Sequence, residues 1–328
     1  MEGRIAETRR YEEMDRAEFY ENGTLKECIC TSPVYFSTPC GSLIPKFDYS
    51  GIRDKYRNSI TFYASGNIKS IYLQEQTPIE TTLGTLKAEL VTFYESGSIH
   101  RVFPRYGGIN AYWTEEEELK LVPMVSKEIN GILVNHKIMC YTFYETGQVK
   151  GLTFANNEVL LVDSTIGKWN VRIGITFYPN GSIETLEPSQ MKLIHTSIGS
   201  YLAYNPYPVG IHGDDNSIRF DLDGNVIRFF TMLSGILIVN RMTQKIVERI
   251  KPKKKRSLLD YDLYEVVPIE IQIMEDYVVV IDSNQKLHRY SREENYFESS
   301  FLRENIGSSK SCSNCKQCAN YSQCSCIN

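Results

Sequence analysis

Five cysteines fall within the last seventeen residues, as Cys312-x-x-Cys315-x-x-Cys318 followed by Cys324-x-Cys326. Thiolates at this spacing converge on one metal, because a tight turn brings their sulfurs to the same side. Four such ligands satisfy tetrahedral zinc or the corners of an iron–sulfur cluster. No histidine stands near them. The opening C-x-x-C-x-x-C leans toward a [4Fe–4S] cluster, although the rest of the ferredoxin spacing is absent. The expected cofactor is therefore zinc or an iron–sulfur cluster on Cys312, Cys315, Cys318, Cys324 and Cys326. The plain alternative is a tail whose thiols form no site.

The remaining groups that could do chemistry have simpler readings. Cys28, Cys30 and Cys40 occupy slots that hold aliphatic residues elsewhere in a repeat described below, so they are expected in the core. Cys140 reads as a strand-flanking thiol. Asp221-Leu222-Asp223-Gly224-Asn225 resembles part of a calcium loop but lacks the downstream glutamate, and its Gly224 falls in a hairpin-turn slot. His212-Gly213-Asp214-Asp215 and the basic run Lys251–Arg256 read as solvated loops. Phosphate-loop, zinc-protease and nucleophile-elbow motifs do not occur.

The elements that must position any site are set by one recurring segment. Phe-Tyr-x-(Asn/Ser/Thr)-Gly-x-(Leu/Ile/Val) begins at Phe19, Phe62, Phe93, Phe143 and Phe177, with a weaker copy at Phe220–Val226. Pro179 fits the first central position of a type I turn. This favours a three-residue loop closed by a left-handed glycine and a bulge. In that register Phe62 faces Ile68, Phe93 faces Ile99 and Phe177 faces Ile183 on a buried face. The opposite face carries Thr61, Lys69 and a tyrosine stripe: Tyr63, Tyr94, Tyr144 and Tyr178. A second turn, Thr/Ser-x-x-Gly, ends at Gly41, Gly84, Gly167 and Gly199. It follows the first by 18, 18, 20 and 18 residues. The unit starting at Phe93 departs from this spacing and leads into a short helix, capped by Thr114 with Glu117 and stopped by Pro123.

Beyond Val226 the repeat fades, but β-rich runs continue to about residue 305. The fold class is thus all-β: repeated antiparallel hairpins in an extended or curled sheet, one short helix and a cysteine-rich tail. Residues 1–230 form the hairpin region, 231–305 a further β segment and 306–328 the tail. A formal charge of -4 gives no case for nucleic acid, and no apolar run is long enough for a membrane span. The charged start lacks a signal peptide, so a cytoplasmic location is expected, where clustered thiols favour metal over disulfides.

Segments such as Phe19-Tyr20-Glu21-Asn22-Gly23-Thr24-Leu25-Lys26-Glu27 resemble the repeat of bacterial MORN-variant, antitoxin-like proteins. The resemblance covers some nine residues in each of five hairpins. It implies an elongated antiparallel sheet and a role in protein or lipid interaction. That family's second, Gly-rich half-repeat is replaced here by the Thr-x-x-Gly turn. The expected function is a non-enzymatic binding or scaffold protein with a metal-bearing tail. Another protein is its partner, and the tyrosine stripe is its contact surface. Two other readings compete: a redox or cluster-handling accessory protein in which the tail does the work, and a hydrolase on a β scaffold.

Overall fold

A computed structural model describes residues 14–155, 158–208, 214–256 and 264–301. All six repeat segments are hairpins in the expected register. Phe19 pairs with Leu25, Phe62 with Ile68, Phe93 with Ile99, Phe143 with Val149, Phe177 with Ile183 and Phe220 with Val226. Each turn glycine has φ between 82° and 91°, a left-handed conformation that a Cβ would strain. In the Gly66 turn, Gly66 N–H donates to the Tyr63 carbonyl at 2.9 Å and Tyr63 N–H to the Asn67 carbonyl at 2.8 Å. A register irregularity beside each phenylalanine is the bulge that this loop requires.

The repeat does not end at Val226. Ile281 pairs with Leu287 around a seventh turn of the same bonding: Gln285 N–H donates to Asp282 O at 2.8 Å, and Asp282 N–H to Lys286 O at 2.9 Å. Gln285 takes the glycine slot at φ 64°. No Phe, Tyr or Gly marks this copy in the sequence, which is why it escapes a pattern built on them.

Hairpins join edge to edge into one antiparallel spine. It runs from Met14–Phe19 and Leu25–Cys30 through Ile60–Phe62, Ile68–Thr81, Gly84–Phe93 and Ile99–Phe103 to Ile132–Phe143. It continues through Val149–Phe154, Gly167–Phe177, Ile183–Pro188 and Ile218–Phe220 to Val226–Thr231. That strand pairs directly with Ile269–Ile273, so the sheet passes residue 230 without a break and ends at Tyr277–Ile281 and Leu287–Ser291.

The second turns build an inner layer. Thr38, Thr81, Ser164 and Thr196 each donate their hydroxyl to the carbonyl of the turn glycine three residues on, at 2.7–3.0 Å. The same oxygen accepts the N–H two residues on, which explains the Thr/Ser at this position. In the departing unit the role passes to Asn130-Gly131, a two-residue turn with φ 48° and 76° between Ile129 and Ile132. Aromatic contacts tie this layer to the spine: Trp169 meets Phe220 edge-on at 6.0 Å and Tyr201 meets Phe229 at 5.0 Å. One hydrophobic core from Cys28 to Val280 fills the space between.

The inner layer also sets the stagger. Four of the five second turns rest on the first-turn glycine two hairpins further on, and the Gly199 turn meets Ser299 and Arg292 instead. Thr82 Oγ1 donates to Gly147 O at 2.6 Å, Thr165 Oγ1 donates to Gly224 O at 2.8 Å, and Pro39 and Asn130 pack at Gly97 and Gly181.

The helix is Glu115–Leu121, with the expected capping box between Thr114 and Glu117. Capping does not account for the whole acidic run, because Glu118 is buried in an ion-pair network described below. The basic run is no loop either: Lys253–Arg256 pairs with Tyr264–Val267, with its side chains exposed. Among the described residues no helix is long and apolar enough to cross a membrane.

Candidate functional site

The predicted tyrosines form a regular structural series. Each hydroxyl donates to the carbonyl of the phenylalanine in the next hairpin: Tyr20 to Phe62 and Tyr63 to Phe93 at 2.9 Å, Tyr94 to Phe143 and Tyr144 to Phe177 at 2.8 Å, and Tyr178 to Phe220 at 2.7 Å. The rings are half-buried, and burial raises the phenol pKa of Tyr63, Tyr94, Tyr144 and Tyr178. Asp221 then occupies the tyrosine slot and turns its carboxylate onto the N–H groups of Asp223 and Asn225, ending the series. This is turn chemistry, as the sequence suggested for the calcium-like fragment.

The spine's outer face carries a second feature. One residue per strand lies in continuous register across it, starting with Glu27, Thr61, Ser70, Thr92, Arg101 and Thr142. The row continues through Gly151, Thr176, Thr185, Arg219, Arg228 and Gln272. Its hydroxyls bond across strands, Thr61 to Ser70 at 2.7 Å and Thr176 to Thr185 at 2.6 Å. The stretch Asp214–Ser217 covers its middle. Asp214 bonds Arg101, Asp215 bonds Arg228, and Asn216 Nδ2 donates to Thr185 Oγ1 at 2.8 Å. Beneath Ser217 lies Glu187, fully buried. Burial pushes its carboxyl pKa up despite the Ser217 N–H at 2.8 Å and Arg172 at 3.7 Å.

Beside Ser70, Thr92 and Arg101 the row borders a cleft of about 370 Å³. Ser70, Thr92 and Arg101 form one wall, and Tyr72, Leu90 and Phe103, two residues along the same strands, form the floor. Arg57, Asn58 and Tyr106 come from the connecting segments. Arg57 is held by its backbone: Tyr49 Oη donates to its carbonyl at 2.8 Å and lies 2.9 Å from the buried Ser59 hydroxyl. The guanidinium sits over Tyr106 at 4.5 Å and over Tyr72 at 5.2 Å.

A network of charged side chains fixes this corner. Glu89 accepts both Arg53 Nη groups at 3.0 Å, Arg105 at 2.8 Å and the Tyr106 N–H at 2.7 Å. Glu118 accepts Arg53 at 2.7 and 2.9 Å, and Trp113 Nε1 and Gly107 N–H at 2.8 Å. Burial alone would raise both carboxyl pKa values, but these donors outweigh it and hold both below the ordinary glutamate range. The helix thus serves to deliver Glu118 to Arg53.

The cysteines divide as the repeat suggested. Cys28 and Cys30 are fully buried core residues, the neighbouring Cys30 thiol and then burial raising the Cys28 thiol pKa, and Cys40 packs against the core. Cys140 is buried with Tyr72, Leu90 and Phe103, and burial pushes its thiol up to about 12. Cys312, Cys315, Cys318, Cys324 and Cys326 lie outside the described residues, as does His212. Among the described residues no group of three or more His, Cys, Asp or Glu side chains is placed to hold a metal. Arg57, Thr92 and Tyr106 were not singled out by sequence reasoning. No local pattern marks them, because they come together only across strands and connecting segments far apart in the chain. No protein-family model matches the chain, and no curated protein matches it.

Proposed function

We propose that this chain is a non-enzymatic binding or scaffold protein that recognises another protein through the outer face of its hairpin spine. The observation that supports it best is the register row from Glu27 to Gln272. Its middle is buried under Asp214–Ser217, but from Glu27 to Arg101 it repeats a partly exposed residue strand after strand and offers a surface of matched spacing. The resemblance to MORN-variant hairpins points the same way. The tyrosines Tyr63, Tyr94, Tyr144 and Tyr178 belong to this surface through their ring edges, since their hydroxyls are already bonded within the chain. The cysteine tail is proposed to carry zinc or an iron–sulfur cluster, in a cytoplasmic setting. Its fit is a matter of donor chemistry: five sulfur donors at turn spacing.

Photo-crosslinking residues placed at Thr61 and Thr92, with Met242 (91% exposed) as the off-face control, test the surface. A single partner joined from the first two positions and not from the third supports the reading. Equal labelling from all three sinks it. Elemental analysis of the intact chain after anaerobic purification tests the tail, and less than about 0.1 metal per chain overturns the metal proposal.

A further inference from the structure

Seven arginines lie between residues 53 and 228: Arg53, Arg57, Arg101, Arg105, Arg172, Arg219 and Arg228. Six have a carboxylate partner. Arg57 alone has none among the described residues; its guanidinium lies over the faces of Tyr72 and Tyr106. Its Nε is buried without a hydrogen-bond partner, and so are Thr92 Oγ1 and Arg101 Nε in the same cleft. Orphaned Nε atoms also occur at Arg172, Arg219 and Arg228, so what sets this cleft apart is a guanidinium with no carboxylate partner at its mouth. The carboxylates nearby do not supply it: Glu89 and Glu118 are fully engaged by Arg53, Arg105, Trp113 and backbone N–H groups.

We propose that this cleft binds an organic anion: one carboxylate or phosphate group seated on Arg57, carried by a flat apolar body lying on Leu90 and Tyr72. The cleft's 370 Å³ is at the small end of ligand cavities, which run from about 300 to 1,000 Å³. A guanidinium backed by two tyrosine rings is partly desolvated and pre-oriented, which strengthens a charge-assisted bond to an oxyanion. The anion comes either as a free small molecule or as an acidic side chain beside an aromatic residue of a partner protein. The second case rests on the scaffold reading above; the site chemistry itself does not.

The test is calorimetric titration of the full chain with benzoate, phenyl phosphate, neutral benzamide and the blocked dipeptide N-acetyl-Glu-Phe-amide. An anion should bind with a Kd of about 10 mM or tighter, and about fivefold or more tighter than benzamide. Arg57→Gln should abolish that preference. Because the comparison of charged with neutral probes needs no variant, it holds even if Arg57→Gln fails to fold. A dipeptide tighter than benzoate assigns the anion to a partner's side chain, and a weaker one to a small molecule. The proposal is overturned if no anion binds by about 10 mM, if the preference over benzamide is below about fivefold, or if folded Arg57→Gln binds benzoate as the parent does. Crosslinking to a partner without anion binding removes this inference and leaves the scaffold reading. Anion binding without a partner does the reverse.

Discussion

Tyr63 Oη donates to the carbonyl of Phe93 at 2.9 Å, so a side chain leaving one turn closes onto the backbone of the next. The bond occurs five times from Tyr20 to Tyr178, and with the Asn22–Ala64 and Asn67–Glu95 bonds it helps fix the spacing of successive turns. Phenylalanine keeps the ring and removes the donor. Tyr94→Phe and Tyr144→Phe should each lower stability by about 1 kcal/mol, seen as a fall in Tm of about 2 °C. Loss of less than a few tenths of a kcal/mol in both would show that the hydroxyls are satisfied equally well by water.

The turn slots make opposite predictions at two positions. Gly147 has φ 91°, and a Cβ there would sit 3.0 Å from Thr82 Cγ2. Gly147→Ala should therefore cost about 1–2 kcal/mol. Gln285 holds the same slot at φ 64° without a glycine's freedom, so Gln285→Gly should be neutral or stabilising by up to about 1 kcal/mol. Denaturant unfolding of the two variants side by side checks the contrast, and a clear loss in Gln285→Gly would show that its side chain contributes contacts.

These two turns also show how far the sequence could be read. The phenylalanine–aliphatic pairing, the left-handed glycines and the Thr114 cap follow from local rules that need only neighbouring residues, and each is found in place. What binds the layers is not local. Thr82 reaching Gly147, Glu118 reaching Arg53 and Arg57 reaching Tyr106 join residues 65, 65 and 49 positions apart, and no pattern of composition or period encodes them. The seventh turn was missed for another reason. Hydrogen bonding of Asp282 to the N–H groups of Asn284 and Lys286 holds its shape without the residues that announce the other six.

Arg53 is the cation between two buried carboxylates, and its removal should be severe. Arg53→Met leaves Glu118 with only Trp113 and a backbone N–H, and Glu89 with Arg105 and a backbone N–H. The expected cost at neutral pH is about 3–5 kcal/mol. In the parent both carboxyls titrate below the ordinary glutamate value of 4.5. Their contribution is therefore present above that value and lost as pH falls through the depressed folded values. The variant should behave in the reverse sense, gaining stability relative to the parent between about pH 7 and pH 4 as the stranded carboxylates take up protons. Thermal unfolding across that range gives the comparison, and a pH-independent difference would argue that Arg53 acts through packing alone.

Glu187 carries the opposite sign. Burial raises its folded pKa above 4.5, so the folded chain binds the extra proton and stability is lost as pH rises through the folded value. Glutamine keeps an acceptor for the Ser217 N–H and carries no charge, while Arg172, 23% exposed, retains access to water. Glu187→Gln should match the parent near pH 4 and become the more stable protein as pH rises toward 8. The gain is about 1.4 kcal/mol for each pH unit by which burial raises the native carboxyl. The comparison separates burial from pairing. If Arg172 at 3.7 Å held Glu187 ionised, the variant would instead lose ground with rising pH, because the parent would be gaining an ion pair that glutamine cannot form.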